Sequence, residues 1–399
     1  MAFRSVGYPL RLHAGPGALD ALGEEVRRAG GERAFVICGR TVGRQTGLIP
    51  RIAGVLDTCL AGVFDGMDKD CSYPVVLAAA AAARDAGADL LIAVGGGSVV
   101  VGTRAVAIFL GESGDPFELM TQYPEGRPAV SPKLLAPKSP IINVVTTPTT
   151  AMNRGGTAIK NDDLDQRMEY FDPKTRPVAL FWDDDALLTA PTTLLRSTAT
   201  TTFTQALQAA SLPTGNPLAD GDHASAVALA LPAIVAAMER PEDPAPRIDL
   251  CAAALLVNRA ADDHAGQPMA RDAIAGVAYA LATAIHVRFD KVGQGEATSA
   301  VLPTALRHVE VDSGSPQRIA AMLDRPVTRD NGAAAAVAAD ALSEFYERLG
   351  MPVRLGQLGI PRREIASIAQ ETTKNFNANP GDRRGDGLAR MAELLELAW

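Results

Sequence analysis

Two glycine- and threonine-rich segments carry the residues of this chain best suited to chemistry. The first, Gly95-Gly96-Gly97-Ser98, follows an apolar run that ends at Val94. Glycine lets backbone N–H groups approach an anion closely, and a helix that begins there directs its positive end at the same point. The second, Thr146-Thr147-Pro148-Thr149-Thr150, follows a strand with the apolar residues Ile141, Ile142, Val144 and Val145. Two such anion-binding loops predict a pocket for a cofactor that carries a pyrophosphate.

The composition places these loops in a large acidic protein. The chain has 399 residues, is 47% hydrophobic and carries a formal net charge of -8. A chain of this length usually divides into two or more domains. The acidic charge and the absence of a basic tail predict that nucleic acid is not a partner, so we expect a small-molecule substrate.

The cysteines and the apolar runs indicate a cytoplasmic protein. Cys38, Cys59, Cys71 and Cys251 lack the CxxC spacing of a zinc site and suggest no disulfide framework. The amino terminus has no signal-peptide pattern, and no run reaches the roughly 20 uninterrupted apolar residues that span a bilayer. We therefore expect no membrane partner.

Helices and apolar strands alternate before residue 185, which predicts an open parallel sheet. The strands read as continuous apolar runs, as is typical of strands covered on both faces. We expect helices over 18–29, 47–56, 74–86 and after Ser98, and strands over 34–38, 60–64, 90–94, 141–145 and 178–182. Residues 116–140, rich in proline and charge, predict a surface excursion.

Strand signals end at the acidic turn Asp183-Asp184-Asp185, and helical periodicity continues from there to the carboxyl terminus. We place a domain boundary at this turn. Residues 1–185 are predicted to form an α/β domain with a dinucleotide-binding layout, and residues 186–399 an all-helical domain.

Several short motifs spread over nearly the whole length are shared with one known family. They are Gly15-Pro16-Gly17-Ala18, Val63-Phe64-Asp65-Gly66, residues 87–98, Pro148-Thr149-Thr150-Ala151, Leu349-Gly350-Met351-Pro352 and Asn379-Pro380. On these residues the chain resembles the iron-containing (group III) alcohol dehydrogenases, whose relatives include maleylacetate reductases and dehydroquinate-synthase-like enzymes. The resemblance implies a Rossmann-like NAD(P)-binding domain with a parallel sheet, a helical domain and hydride transfer in the cleft between them. A homodimer is the default for the family.

The chain departs from this family at the metal site. Members typically hold a divalent metal with one aspartate and three histidines. The resemblance puts Thr201 at the aspartate position and Gln205 at a histidine position. On the next ligand helix it puts Tyr279 and Thr283 at the positions of a histidine and its i+4 companion, and it puts Gln294 at the last histidine position. Neutral hydroxyls and amides bind a transition-metal dication far too weakly to replace carboxylate and imidazole. We therefore expect no metal here, and we assign Thr201, Gln205 and Gln294 to substrate binding.

The residues expected to bind the cofactor also differ from those of the family. NAD-preferring members often place an acidic residue where this chain has Gly39, and Arg40 and Thr41 follow. Arg40 could pair with a 2′-phosphate, which favours NADP(H) over NAD(H). The alternative is that Arg40 and Arg44 are ordinary solvated charges. The remaining cofactor contacts are assigned to Gly95, Gly96, Gly97, Ser98, Thr147, Thr149, Thr150 and Asn153.

The second of the two loops, which follows the strand over 141–145, carries an unusual cation. The family continues there as Gly-Thr-Gly-Ser-Glu, whereas this chain reads Met152-Asn153-Arg154-Gly155-Gly156. The change puts the usual nicotinamide contacts in doubt. Arg154 is a candidate to bind a carboxylate or phosphate of the substrate.

Carbonyl reduction without a metal needs a positioned acid. Tyr279, Thr283 and His286 stand at i, i+4 and i+7 on one helical stripe. We expect Tyr279 to be the general acid, with His286 as second choice and Thr283 beside them. The alternative is that Tyr279 only fills the volume of the lost metal, and that His286 bonds a backbone carbonyl.

These residues predict a metal-independent NAD(P)H-dependent oxidoreductase that reduces a carbonyl or a conjugated small metabolite in the interdomain cleft. Two alternatives stay open. The first is a non-redox enzyme, a lyase, cyclase or isomerase, on the same scaffold, which the changes over residues 152–156 favour. The second is a non-catalytic binding homologue, which the loss of the metal ligands permits.

Overall fold

The computed structural model describes residues 2–124, 127, 129–263, 273–309, 313–375 and 384–399. The Asn379-Pro380 motif lies outside these residues.

A parallel sheet forms the amino-terminal half. Its six strands are β1 (Arg11–Gly15), β2 (Ala34–Cys38), β3 (Leu60–Phe64), β4 (Leu90–Gly95), β5 (Ile141–Val145) and β8 (Ala179–Asp183), in the order β1-β8-β5-β4-β2-β3. The intervening strands β6 (Gly156–Ile159) and β7 (Met168–Phe171) form a separate antiparallel pair. All neighbours in the large sheet are parallel, so the loops that follow their carboxyl ends lie along one edge.

Helices cover both faces of this sheet, which explains why β2, β4, β5 and β8 are buried throughout. Leu91 and Ala93 point to one apolar cluster and Ile92 and Val94 to the other. The helices are α1 (Leu22–Arg28), α2 (Arg40–Gln45), α3 (Leu48–Leu56), α4 (Tyr73–Asp85), α5 (Gly97–Gly111) and α6 (Pro116–Leu119).

The predicted strands and helices are confirmed to within a residue or two, with three differences. The helix expected over 18–29 begins as a 3-10 turn over Ala18–Ala21 before α1. The strand β1 and the short helix α2 were not predicted, since neither has a long apolar pattern. The β6–β7 hairpin was also missed, because its strands are only four residues long.

The carboxyl-terminal half consists of helices α7 (Asp184–Leu188), α8 (Thr192–Ala210), α9 (Pro217–Glu239), α10 (Ala245–Asp262), α11 (Ala273–Arg288), α12 (Gln294–His308), α13 (Ser315–Met322), α14 (Asn331–Arg348), α15 (Ile365–Thr372) and α16 (Arg384–Ala398). In its core the rings of Phe203 and Phe345 pack 4.7 Å apart. Beyond β8 the described residues contain no further strand. The predicted fold class, an α/β domain followed by helices, is confirmed, while the boundary between residues 185 and 186 stays a prediction.

One helix of the described chain, α9, is long and apolar enough to cross a membrane by length and composition. It lies against α8 and α10 in the helical half.

Candidate functional site

The glycine-rich loop joins β4 directly to α5. Gly96 precedes the helix in an extended conformation, and no side chain caps the helix N-terminus. The first backbone N–H groups of a helix have no partner within the helix, and the helix dipole adds positive potential there. This end of α5 is therefore available to an anion.

The two predicted loops meet at this point. A Cβ atom at Gly96 would lie 3.1 Å from the Thr147 Oγ1 atom, and one at Gly97 would lie 3.1 Å from the Thr149 Oγ1 atom. A side chain at either position would therefore crowd a threonine hydroxyl, so the glycines favour the close approach of the loops. Thr147 is buried, and its hydroxyl has no hydrogen-bond partner among the described residues. An unpartnered buried hydroxyl beside a free helix N-terminus fits the phosphates of a dinucleotide.

Ser98, in the first turn of α5, is bound to the segment that follows β3. Its Oγ atom accepts a hydrogen bond of 3.0 Å from the backbone N–H of Asp70. Asp70 and the next residue, Cys71, have φ angles of 60° and 43°. Non-glycine residues rarely adopt this left-handed conformation, which costs about 1–3 kcal/mol and concentrates at functional sites.

The end of β2 presents the predicted nucleotide-selecting residues. Arg40 and Thr41 are exposed in the first turn of α2, directly after Gly39. Arg44 is not an isolated surface charge, because it binds the carboxylate of Asp65 with both ends of its guanidinium, at 2.5 and 3.2 Å. This pair lowers the pKa of Asp65. Arg44 is therefore already engaged, and Arg40 is the cation left for a nucleotide.

A buried arginine of α5 binds the backbone of the loop after β5. Arg104 on α5 is 2% exposed. Its guanidinium donates to the backbone carbonyls of Ala151 and Arg154, at 2.7 and 2.6 Å. Burial lowers the pKa of Arg104 to about 9, and the two carbonyls compensate in part for the lost solvent.

An asparagine of the helical half binds the same loop. The Asn258 side chain on α10 donates to the Asn153 Oδ1 atom at 2.5 Å and to the Thr150 carbonyl at 2.9 Å. Its Oδ1 atom accepts from Nε of Arg154 at 2.8 Å. The side-chain oxygen of Asn153, a residue predicted to contact the cofactor, thus accepts a hydrogen bond that joins the two halves of the chain. Arg154 is oriented by the same amide.

Tyr279 on α11 interacts with two guanidinium groups. Its hydroxyl is a hydrogen-bond partner of Arg167 and an electrostatic neighbour of Arg154. Burial lowers the pKa of Arg154. Burial acts in the same direction on Arg167, but its interactions with Tyr279, Glu169 and Asp70 outweigh burial and raise its pKa. The predicted general acid therefore has cations beside its oxygen.

His286, two turns further along α11, faces the strained segment after β3. Its Nδ1 atom lies 3.4 Å from the Asp70 Oδ1 atom, while its backbone carbonyl accepts from the Lys69 Nζ atom at 2.7 Å. Burial lowers the pKa of His286 to about 4 although Asp70 acts in the opposite direction. The imidazole is therefore neutral at physiological pH, and a neutral imidazole with a low pKa is a poor proton donor. This environment favours Tyr279 over His286 as the acid.

The residues that the resemblance puts at the family's metal positions do not form a metal-ligating donor set. The Thr201 hydroxyl donates to the Ser197 carbonyl at 3.2 Å, and the Gln205 Oε1 atom is buried without a partner among the described residues. Gln294 starts α12, and a Cβ atom on the next residue, Gly295, would lie 2.1 Å from the Ser197 carbonyl oxygen. No cluster of three His, Cys, Asp or Glu suited to a metal occurs within the described part of the chain. Hydroxyls and amides alone are not a donor set for iron or zinc.

A cavity of about 430 Å³ opens beside this site. The segment between β6 and β7, α11 and α15 form its walls, and its lining includes Arg167 and Thr283. Thr283 is 4% exposed, and its hydroxyl has no hydrogen-bond partner among the described residues. The cavity has the size of a small-molecule site, and Thr283 on its wall lies one helical turn from Tyr279.

Sequence reasoning left Arg167 open between a ligand for an anionic substrate and an ordinary surface charge, and it assigned no role to Asp70 or Asn258. Asp70 lies in a polar stretch with no regular pattern, and Asn258 is one of several polar residues of α10. Of these two, only Asn258 carried a usable signal, because an amide on a buried helix face needs a partner.

The family of the chain follows from its match with known proteins. Residues 9–184 match the iron-containing alcohol dehydrogenases, and residues 197–395 match the carboxyl-terminal part of the same family. Lactaldehyde reductase of Escherichia coli (strain K12) is 25% identical over 96% of this chain and 97% of its own. Maleylacetate reductase 2 of Cupriavidus pinatubonensis is 40% identical over 26% of this chain and 28% of its own.

Solved structures agree on the fold. The NADH-dependent butanol dehydrogenase A of Thermotoga maritima superposes with a TM-score of 0.85 at 18% identity, covering 99% of this chain and 98% of that one. The chain therefore belongs to the iron-containing alcohol dehydrogenase family and is an enzyme of the dehydrogenase and reductase type.

Proposed function

We propose that this enzyme reduces a small carbonyl compound with NADPH and without a catalytic metal. The observation that carries the proposal is the Tyr279 hydroxyl, which lies beside Arg167 and Arg154; the resemblance puts Tyr279 at a metal-ligand position. The two cations supply the positive charge that a metal ion would otherwise bring to the reacting oxygen.

The loops after β4 and β5 hold the dinucleotide in this proposal. The glycines at 95–97 and the free N-terminus of α5 bind the phosphates, and the buried Thr147 hydroxyl donates to them. When bound, the nicotinamide supplies the hydride that reduces the carbonyl carbon to an alcohol. Arg104 and Asn258 keep the second loop in place, since they bond its backbone from two sides.

Tyr279 supplies the proton. Its O–H donates to the carbonyl oxygen as that oxygen gains negative charge, and Arg167 stabilises the tyrosinate that remains. Solvent returns the proton to the tyrosine after the reaction. In this proposal Thr201, Gln205 and Gln294, which the resemblance puts at metal-ligand positions, are hydrogen-bonding groups for the substrate.

The NADPH preference rests on Arg40. Asp65 directly follows β3, and its carboxylate is already paired with Arg44. It therefore repels a 2′-phosphate only weakly. Arg40 is exposed at the first turn of α2 and is free to bind that phosphate.

Location and assembly belong to the same proposal. The cysteines of the described chain are all free, which fits a reducing cytoplasm. A homodimer is expected, and size-exclusion chromatography with light scattering measures it directly.

A fluorescence titration of nucleotide-free protein with NADPH and NADH tests the proposal. We expect both to bind, with NADPH tighter, and we expect Arg40→Ala to lose that preference. Arg240→Ala, an exposed arginine in the helical half, is the matched control and should leave it intact. If neither nucleotide binds, the hydride-transfer proposal is wrong and the non-redox alternative takes its place.

A further inference from the structure

The cations that line the cavity near Tyr279 differ in how closely carboxylates pair with them. Three cations on its wall are held by close carboxylates: Lys160 by Asp162 and Asp290 at 3.3 and 3.2 Å, Arg288 by Glu364 at 2.7 Å and by Glu371, and Lys374 by Asp165 at 2.7 Å. These cations therefore have little capacity left for a ligand.

Arg167 is the exception among the cations that line this cavity. Its ion pair with Glu169 is 3.5 Å long, and Glu169 also accepts a hydrogen bond from the Tyr123 hydroxyl. The Arg167 side chain is 17% exposed, and its ion pair with Glu169 is longer than those of the other three cations. A guanidinium in this position is suited to bind a planar carboxylate through two parallel hydrogen bonds.

A second, independent group points to the same place. The Thr283 hydroxyl lines the cavity one helical turn from Tyr279, is buried and has no hydrogen-bond partner among the described residues. Buried hydroxyls are normally satisfied, so a ligand oxygen would satisfy this one.

We propose that the cavity is a subsite for the carboxylate of an oxo acid, with Arg167 as the main ligand and Thr283 as a second donor. This inference rests on the proposed function and defines its substrate class. Arg167 also bonds the Tyr279 hydroxyl, so the carbonyl that receives the proton lies close to the carboxylate, as in 2-oxo and 3-oxo acids. A single weakly paired guanidinium matches one carboxylate better than a phosphate dianion.

Calorimetric titration with oxamate tests the subsite without any redox step, and oxamide is its uncharged counterpart. We expect oxamate to bind and oxamide not to bind measurably. Arg167→Met should weaken oxamate binding roughly ten-fold to a hundred-fold, the range for hydrogen bonds to a charged group. Arg167→Lys should retain part of the affinity, and the control Arg240→Met all of it. Equal binding of oxamate and oxamide, or unchanged oxamate binding by a folded Arg167→Met protein, would overturn the subsite.

A second comparison separates this inference from the proposed function. The enzyme should reduce 2-oxobutanoate at a kcat/KM at least about ten-fold above that of its methyl ester, because the ester lacks the charge. Equal reduction of the two would remove the carboxylate subsite and leave the reductase standing. Oxamate binding without nucleotide binding would support the carboxylate subsite and contradict the proposed reductase.

Discussion

Replacement of Tyr279 by phenylalanine separates the proton donor from a residue that only fills space. The ring is kept in its half-buried position, and the hydroxyl beside Arg167 and Arg154 is removed. Proton transfer by a positioned side chain typically contributes about 10²–10⁴ in rate, so we expect kcat to fall by that factor.

The stability of the same variant should change little. Arg167 loses one hydrogen bond but keeps Glu169 at 3.5 Å and faces a cavity that admits water. We therefore expect the free energy of unfolding to fall by about 1 kcal/mol. Nucleotide affinity should be unchanged, because Tyr279 does not lie in either phosphate-binding loop.

The assay is NADPH oxidation with the best substrate from a screen of small aldehydes, ketones and oxo acids, together with chemical denaturation. Tyr346→Phe is the matched control, because it removes a buried tyrosine hydroxyl that bonds Thr204 at 2.6 Å in the helical core. It should lower stability and leave kcat unchanged. If Tyr279→Phe turns over at the wild-type rate, Tyr279 is not the acid.

Three further predictions concern the loops and the histidine. Arg40→Ala should weaken NADPH binding about ten-fold and leave NADH binding unchanged, as measured by nucleotide fluorescence, since only NADPH carries the phosphate that Arg40 would bind; equal losses for both would remove its selecting role. Arg104→Met leaves the Ala151 and Arg154 carbonyls without their donor and should cost about 3 kcal/mol in denaturant unfolding, with Arg104→Lys recovering part of it. The pKa of His286 is about 4, against 6.5 for the ordinary group, so the unfolded chain binds more protons between these values. Stability should therefore fall by up to about 3 kcal/mol as the pH drops through this window, and His286→Gln should flatten that slope.

The sequence predicts the scaffold well because the scaffold rests on long regular patterns. Each buried strand of the sheet reads as an apolar run, and the loop that precedes α5 has a glycine pattern that only a close approach explains. The family resemblance adds the meaning of Thr201 and Gln205, whose types alone say nothing about a lost metal site.

The sequence predicts the site less completely because the site is built from distant residues. The surroundings of Tyr279 depend on Arg167, 112 residues earlier in the chain, and neither residue lies in a motif that names the other. Arg44 could not be separated from Arg40 in the sequence, and only the position of Asp65 shows which of the two is free. Ion pairs of this kind follow from the packing of side chains, which local patterns do not encode.

Metal content measured on the same sample as turnover tests the central claim most directly. We expect purified enzyme with zinc and iron far below one ion per chain to oxidise NADPH at full rate with its carbonyl substrate, and we expect a chelator to leave that rate unchanged. Near-stoichiometric metal that Gln205→Ala or Gln294→Ala removes together with activity would contradict the account.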